Sequence, residues 1–237
     1  MALIFFTSSF LGILPIVLWL VFFLWQDILK PEPLKWLIIL FCLGILITPL
    51  IWYGEDLYLK LLRIDMNVSL SFLNIILVYG GIAVIEELAK FFSVFSILKR
   101  NKHFDEAIDA MIYLIVLALG FGLVENILAA SQEMVEGGLL LPVLQTMSLR
   151  FVGANLLHAL SSGIIGFFWA LSLLKRKSHL YWGLVLGIAL HFLFNLGIIK
   201  FGGTTVFLVS LGLFFATIGL LWAFDVLKQI KKPIKFI

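Results

Sequence analysis

Long apolar runs, broken by short charged or turn-forming stretches, dominate the chain. They predict helices near Ile4–Trp25, Leu34–Tyr53, Leu70–Leu98, Ile108–Ala130, Arg150–Leu174, Leu180–Ile199 and Thr204–Phe224. Runs of about 20 apolar residues match the ~30 Å hydrocarbon core of a bilayer. A spanning segment must satisfy its own backbone hydrogen bonds, so helix is the expected form of each run. The third and fifth runs exceed a straight span and imply tilt or protrusion. Pro31, Pro33, Pro142 and Pro233 punctuate connections, while Pro15 and Pro49 fall inside the first two helices as possible kinks. The expected architecture is an all-α, polytopic bundle of about seven spans. It forms one integral membrane domain, residues 1–237, with no room for a soluble domain between spans.

Composition supports this picture. Of 237 residues, 62% are hydrophobic and only 13% charged, too few polar groups to clothe a soluble domain. The single cysteine, Cys42, rules out an intramolecular disulfide framework and is expected to be a small buried hydrophobe. No basic residue precedes the first run, so no cleaved signal peptide is expected. Lysine and arginine are unevenly placed. Twelve fall on one side of the spans (Lys30, Lys35, Lys99, Arg100, Lys102, Lys175, Arg176, Lys177, Lys228, Lys231, Lys232, Lys235) and four on the other (Lys60, Arg63, Arg150, Lys200). The positive-inside rule then puts the C-terminus in the cytoplasm and the N-terminus outside, in the cell membrane. These basic clusters suit anionic lipid contact, and the tail from Lys228 could lie as a short interfacial helix. No aromatic-interleaved basic patch points to nucleic acid.

Of the 31 formal charges, four fall inside spans: Glu86, Glu87 and Lys90 in the third and Glu125 in the fourth. Left unpaired, four such groups would cost on the order of 10 kcal/mol, so they are expected to face the bundle interior. Helical spacing agrees. Glu87 and Lys90 share a face with Ala83, and Glu86 stands one step around it. Ala118, Gly122 and Asn126 align beside Glu125. His158 aligns with Ala154, Ser162 and Gly166, and His191 with Gly183, Gly187 and Asn195. Small residues on each stripe permit close helix approach, with Gly183 and Gly187 read as packing. Estimated depths, ~17 to ~26 Å from the cytoplasmic span ends, let the four stripes converge. Lys90 reads as the i,i+4 ion-pair partner of Glu86. Asp105, Glu106 and Asp109 read as a solvated helix start, and Asn74 and Asn155 as hydrogen bonds between helices.

Glutamates, histidines and asparagines grouped in a membrane can activate water. A desolvated carboxylate is a stronger base, and histidine or asparagine can donate to a developing oxyanion. Alternatively, two histidines and a glutamate could hold zinc, with another glutamate as base. HExxH is absent, and both routes stay open on residue chemistry alone.

The same residues form ordered motifs: Glu86-Glu87-Leu-Ala-Lys90, Phe121-Gly-Leu-Val-Glu125-Asn126, His158 through Gly166, and His191-Phe-Leu-Phe-Asn195. Together they resemble the PrsW family of intramembrane proteases, related to the CAAX-protease and bacteriocin-processing family. The likeness runs from about Gly80 to Asn195, inside a catalytic core of about residues 70–200. It implies an intramembrane endopeptidase that cuts membrane-anchored protein substrates, anti-sigma factors among them in bacteria. The resemblance makes Glu86 the water-activating base with Glu87 in support. It gives His158 and His191 to the oxyanion or a metal, and Glu125 and Asn195 complete the site beside Lys90, Phe121 and Asn126. Either no cofactor or zinc is implied, and a metal would fall to His158, His191 and Glu125. Glutamate-activated water is the preferred reading. Asp109-Ala110 departs from the Asp-Gly expected there. Two other readings compete: a non-catalytic scaffold, since a scaffold subunit of gamma-secretase is a relative, and a proton-coupled transporter. Absence of inverted repeats and paired broken helices counts against transport.

Overall fold

The computed structural model describes residues 2–64, 70–99, 101–137, 140–174, 176–200, 202–230 and 234. Apolar runs become helices throughout: α1 (Ala2–Leu24), α2 (Leu34–Leu62), α3 (Phe72–Leu98), α4 (Asp109–Gly137), α5 (Leu140–Arg150), α6 (Leu156–Leu174), α7 (Ser178–Lys200) and α8 (Gly202–Lys228). Among the described residues, seven helical stretches are long and apolar enough to cross a membrane. Arg100, Lys175 and most of the tail expected as an interfacial helix lie outside the described residues.

Several helices outrun their apolar stretches. α2 continues past Tyr53 to Leu62, because the polar turn that follows is helix-compatible and Lys60 pairs with Asp56 at i,i+4 (2.5 Å). It stops where Arg63 takes a left-handed backbone, φ 54°. α4 continues past Ala130 to Gly137. The fifth span is 35 residues long, from Leu140 to Leu174, not from Arg150. It consists of α5, a π-helical segment Phe151–Asn155, and α6. Pro142 therefore sits in the first turn of α5 rather than in a connection, a position where its missing N–H costs nothing.

α4 is the axis of the bundle. Its span is 78% buried, against 22–28% for α1, α2, α3, α7 and α8, and α1, α2 and α6 pack around it. Two glycines allow the α2–α4 approach: a Cβ on Gly44 would overlap the Leu117 carbonyl oxygen, and one on Gly120 the Phe41 carbonyl oxygen. α1 crosses α4 at Gly12, whose carbonyl accepts from Asn126 Nδ2 (3.0 Å). Gly183 and Gly187 seat α7 against Phe168 and Ile165 of α6, which makes them packing residues. Large apolar side chains on the outer faces, such as Phe10, Leu50, Leu61, Phe214 and Trp222, are exposed, as lipid-facing positions require. Cys42 is one of these exposed positions rather than a buried one, since α2 turns Gly44 and Leu40 inward instead.

The α2–α4 contact predicts a contrast between glycines. Gly120→Val should lower the unfolding temperature of the detergent-solubilised protein by an amount equivalent to about 1–3 kcal/mol or more. Gly212→Ala, where nothing stands within 4 Å, should be neutral or slightly stabilising. Equal effects of the two substitutions would contradict this packing.

Candidate active site

The polar stripes of α3, α4, α6 and α7 do converge. Lys90, fully buried, donates through Nζ to Glu86 Oε2 (3.0 Å) and Glu87 Oε1 (2.9 Å) and lies 3.1 Å from His158 Nδ1. The Phe121 ring covers the ammonium, centroid 4.3 Å away, a favourable cation–π contact in a desolvated site. Glu86, Glu87, His158 and His191 are all at least nine-tenths buried. Lys90 thus pairs with Glu86 as expected, and with Glu87 and His158 as well.

Hydrogen bonding fixes the two imidazoles. His158 receives Lys90 at Nδ1, so its proton belongs on Nε2, which donates to Glu125 Oε2 (2.9 Å). Both its nitrogens are engaged. His191 Nδ1 donates to Glu87 Oε1 (2.8 Å), which leaves Nε2 facing Glu86 Oε1 at 3.8 Å. Glu86 Oε2 is 4.0 Å from His158 Nδ1. The Lys90 ammonium bridges the second of these separations; the first, from His191 Nε2 to Glu86 Oε1, exceeds a direct hydrogen bond and is bridged by no described side chain.

A cavity of about 480 Å³ adjoins this cluster, lined among others by Glu86, Glu125, Arg150, His158, His191 and Asn195. Glu87 does not line it. Asn126, buried, bridges Gly12 on α1 to Arg150, so it braces the wall rather than facing the cavity.

Two residues of the wall were not expected. Arg150 donates from Nε to Asn126 Oδ1 (2.6 Å) and from an Nη to Glu125 Oε2 (3.0 Å). By position it counts as a charge at a span end, but the fifth span begins ten residues earlier, so Arg150 lies within it. The π-helical segment that follows is pinned by Trp19, which donates to the Phe151 carbonyl (2.8 Å) and stacks on its ring. Such segments free backbone groups and often mark functional sites. Glu55 also lines the cavity, with a buried oxygen that has no partner among the described residues. It was hidden because the apolar run ends at Tyr53. Gly122 packs beside Asn155 and His158, where a Cβ would make ordinary van der Waals contact at 3.4 and 3.6 Å. Asn155 is buried with neither amide atom partnered among the described residues, contrary to the expected interhelical hydrogen bond. Asn74 donates its backbone N–H to Ser71 Oγ at the start of α3.

A family model described as PrsW family intramembrane metalloprotease matches residues 32–222. The chain belongs to the PrsW family. It is similar to Protease PrsW of Clostridioides difficile (strain 630), 29% identical over 188 residues, which cover 78% of this chain and 76% of that protein. It is also similar to Protease PrsW of Geobacillus kaustophilus (strain HTA426), 27% identical over 183 residues, covering 76% and 74%. No solved structure matches the chain. PrsW membership and seven apolar spanning helices make this a multi-pass membrane protein of a protease family.

The family description names a metal, and the donor types are suitable. Glu86, Glu87, His158 and His191 each offer a ligand atom within 4.8 Å of the others, a set of nitrogen and oxygen donors that zinc accepts. Lys90 nevertheless lies within 3.1 Å of three of them. That ammonium engages one donor atom of each of these three and leaves Glu86 Oε1, Glu87 Oε2 and His191 Nε2 uncommitted. Glu125, expected beside His158 and His191 as a ligand, is turned instead to Arg150 and His158 Nε2 and stands outside the group of four.

Removing the ammonium should expose its importance. Lys90→Met leaves two buried carboxylates without their cation and should cost about 3–5 kcal/mol in a denaturant titration. Combining it with Glu86→Gln and Glu87→Gln should recover most of that loss. A single variant as stable as wild type would contradict the ion cluster.

Proposed function

We propose that this PrsW-family protein is an intramembrane endopeptidase that hydrolyses membrane-anchored protein substrates with water activated by Glu86. The observation that carries this reading is the position of Glu86. Among the described glutamates it alone stands within 4.0 Å of both histidines, and it lines the cavity. Glu87 is sealed behind it, bonded to Lys90 and His191, which suits support rather than proton transfer.

A substrate segment enters the cavity with its scissile carbonyl near Glu86. Glu86 takes a proton from water, and the hydroxide adds to the carbonyl carbon. His191 Nε2, as imidazolium, and the Asn195 amide donate to the oxyanion. Collapse breaks the C–N bond, and the proton on Glu86 passes to the leaving amine. Lys90, His158 and Glu125 hold these groups in place, and Arg150 anchors Glu125. The basic-rich ends would face the cytoplasm and the N-terminus the outside, in the cell membrane.

The test is cleavage of a tethered single-span substrate by the purified protein in lipid. Glu86→Gln should lower the rate by about 10²–10⁴-fold while leaving the protein folded. His191→Ala should also fall strongly, and Arg150→Ala should lose less. Undiminished cleavage by both Glu86→Gln and His191→Ala would overturn the assignment, and no cleavage by wild type would favour the scaffold reading.

A further inference from the structure

A second cluster of acids lies at the other end of α4. Asp109 opens that helix, sixteen residues before Glu125, about 24 Å along the axis. Its Oδ2 accepts the backbone N–H groups of Asp105 (2.9 Å) and Glu106 (2.8 Å), and the side chain is fully buried. Of the solvated helix start expected from sequence, Asp105 and Glu106 keep exposed side chains, whereas Asp109 is buried. Asp27, in the single 3₁₀ turn after α1, and Glu32, in the connection to α2, bring their carboxylates to it. One oxygen from each of the three lies within 4.8 Å of the others.

Two of these acids, Asp27 and Asp109, are buried and Glu32 is half-buried; such burial demands compensation, since buried charges are paired or coordinate a cation. Their neighbours supply it only in part: Glu32 and Asp109 hydrogen-bond to each other. Asp27 is 93% buried (7% exposed), and its Oδ2, like Oδ1 of Asp109, has no hydrogen-bond partner among the described residues. Lys30 is committed to Asp105 (3.0 Å) and Glu106 (3.1 Å), and Lys228 contacts Asp225 and Gln26. Tyr113 donates its hydroxyl to Glu32. Even so, burial and the neighbouring acids push the Glu32 carboxyl above its usual range. A hollow of about 280 Å³ is lined by Asp27, Lys30 and Glu106, on the Asp27 side of the cluster.

We propose that Asp27, Glu32 and Asp109 bind a hard divalent cation of the magnesium or calcium class, one that clamps the α1–α2 connection to the start of α4. All-oxygen, anionic donors select such ions over the softer metals that histidine favours. Three carboxylates leave coordination positions for water, as magnesium requires. This site shares no residue with the candidate active site.

The experiment follows thermal unfolding of the purified full chain in detergent, titrated with MgCl2 or CaCl2 against NaCl of equal ionic strength. Wild type should show a saturable rise in unfolding temperature with the divalent salts. Asp27→Asn removes a buried charge without removing a hydrogen bond, so it should raise the cation-free unfolding temperature and abolish the response. Glu32→Gln should also abolish it, while Glu86→Gln should keep it in full. No divalent-specific rise in wild type would mean that the acids share protons only, and would overturn the proposal. An undiminished rise in Asp27→Asn or Glu32→Gln, or its loss in Glu86→Gln, would do the same.

Discussion

An ammonium buried between two carboxylates and an imidazole organises this protein. Lys90 contacts Glu86, Glu87 and His158 at 2.9–3.1 Å, from a position with no solvent exposure. In so apolar a setting none of these groups is tolerable alone. Each helix that contributes a partner is thereby tied to α3: α6 through His158, and α7 through the His191 contact with Glu87. α4 joins at one remove, since Glu125 takes the other nitrogen of His158. The cost of desolvated charge thus selects one arrangement of four helices, and that arrangement assembles the candidate active site.

The same cluster divides the glutamates into two kinds. Glu87 takes both Lys90 and His191 on Oε1, its buried Oε2 has no partner among the described residues, and it does not line the cavity. Glu86 has one oxygen on Lys90, and the other faces His191 Nε2 across a gap. Its negative charge is held by one ammonium while the second oxygen stays free for a proton. His158 has both ring nitrogens engaged, Nδ1 by Lys90 and Nε2 by Glu125. In a chain that belongs to the PrsW family, this division is the basis for assigning base and support.

Much of this was legible in the sequence, and the limits have physical causes. The spans were readable because a bilayer allows one backbone solution at this length. The convergence of Glu86, Glu87, Lys90, Glu125, His158 and His191 followed from small-residue stripes and the cost of stranded charge. Helix ends were less visible, because polar turns such as Glu55–Lys60 extend a helix beyond its apolar stretch without altering the hydropathy. That error hid Glu55, and a late start for the fifth span hid Arg150. The π-helical segment between Arg150 and His158 has no hydropathy signature at all, yet it adjoins both wall residues. Asp109 departs from expectation for a related reason: acids at a helix start are usually solvated, and only the packing of Asp27 and Glu32 over it makes this one buried.

Under the proposed function, the Lys90 ammonium rather than a metal ion is the cation of the candidate active site. One purified preparation in lipid, assayed for cleavage of a tethered substrate and analysed for transition metals before and after chelator treatment, tests it most directly. Full cleavage with substoichiometric metal, unchanged by the chelator, is the result this account predicts. Cleavage that falls with metal removal and returns in proportion to zinc added back would contradict it.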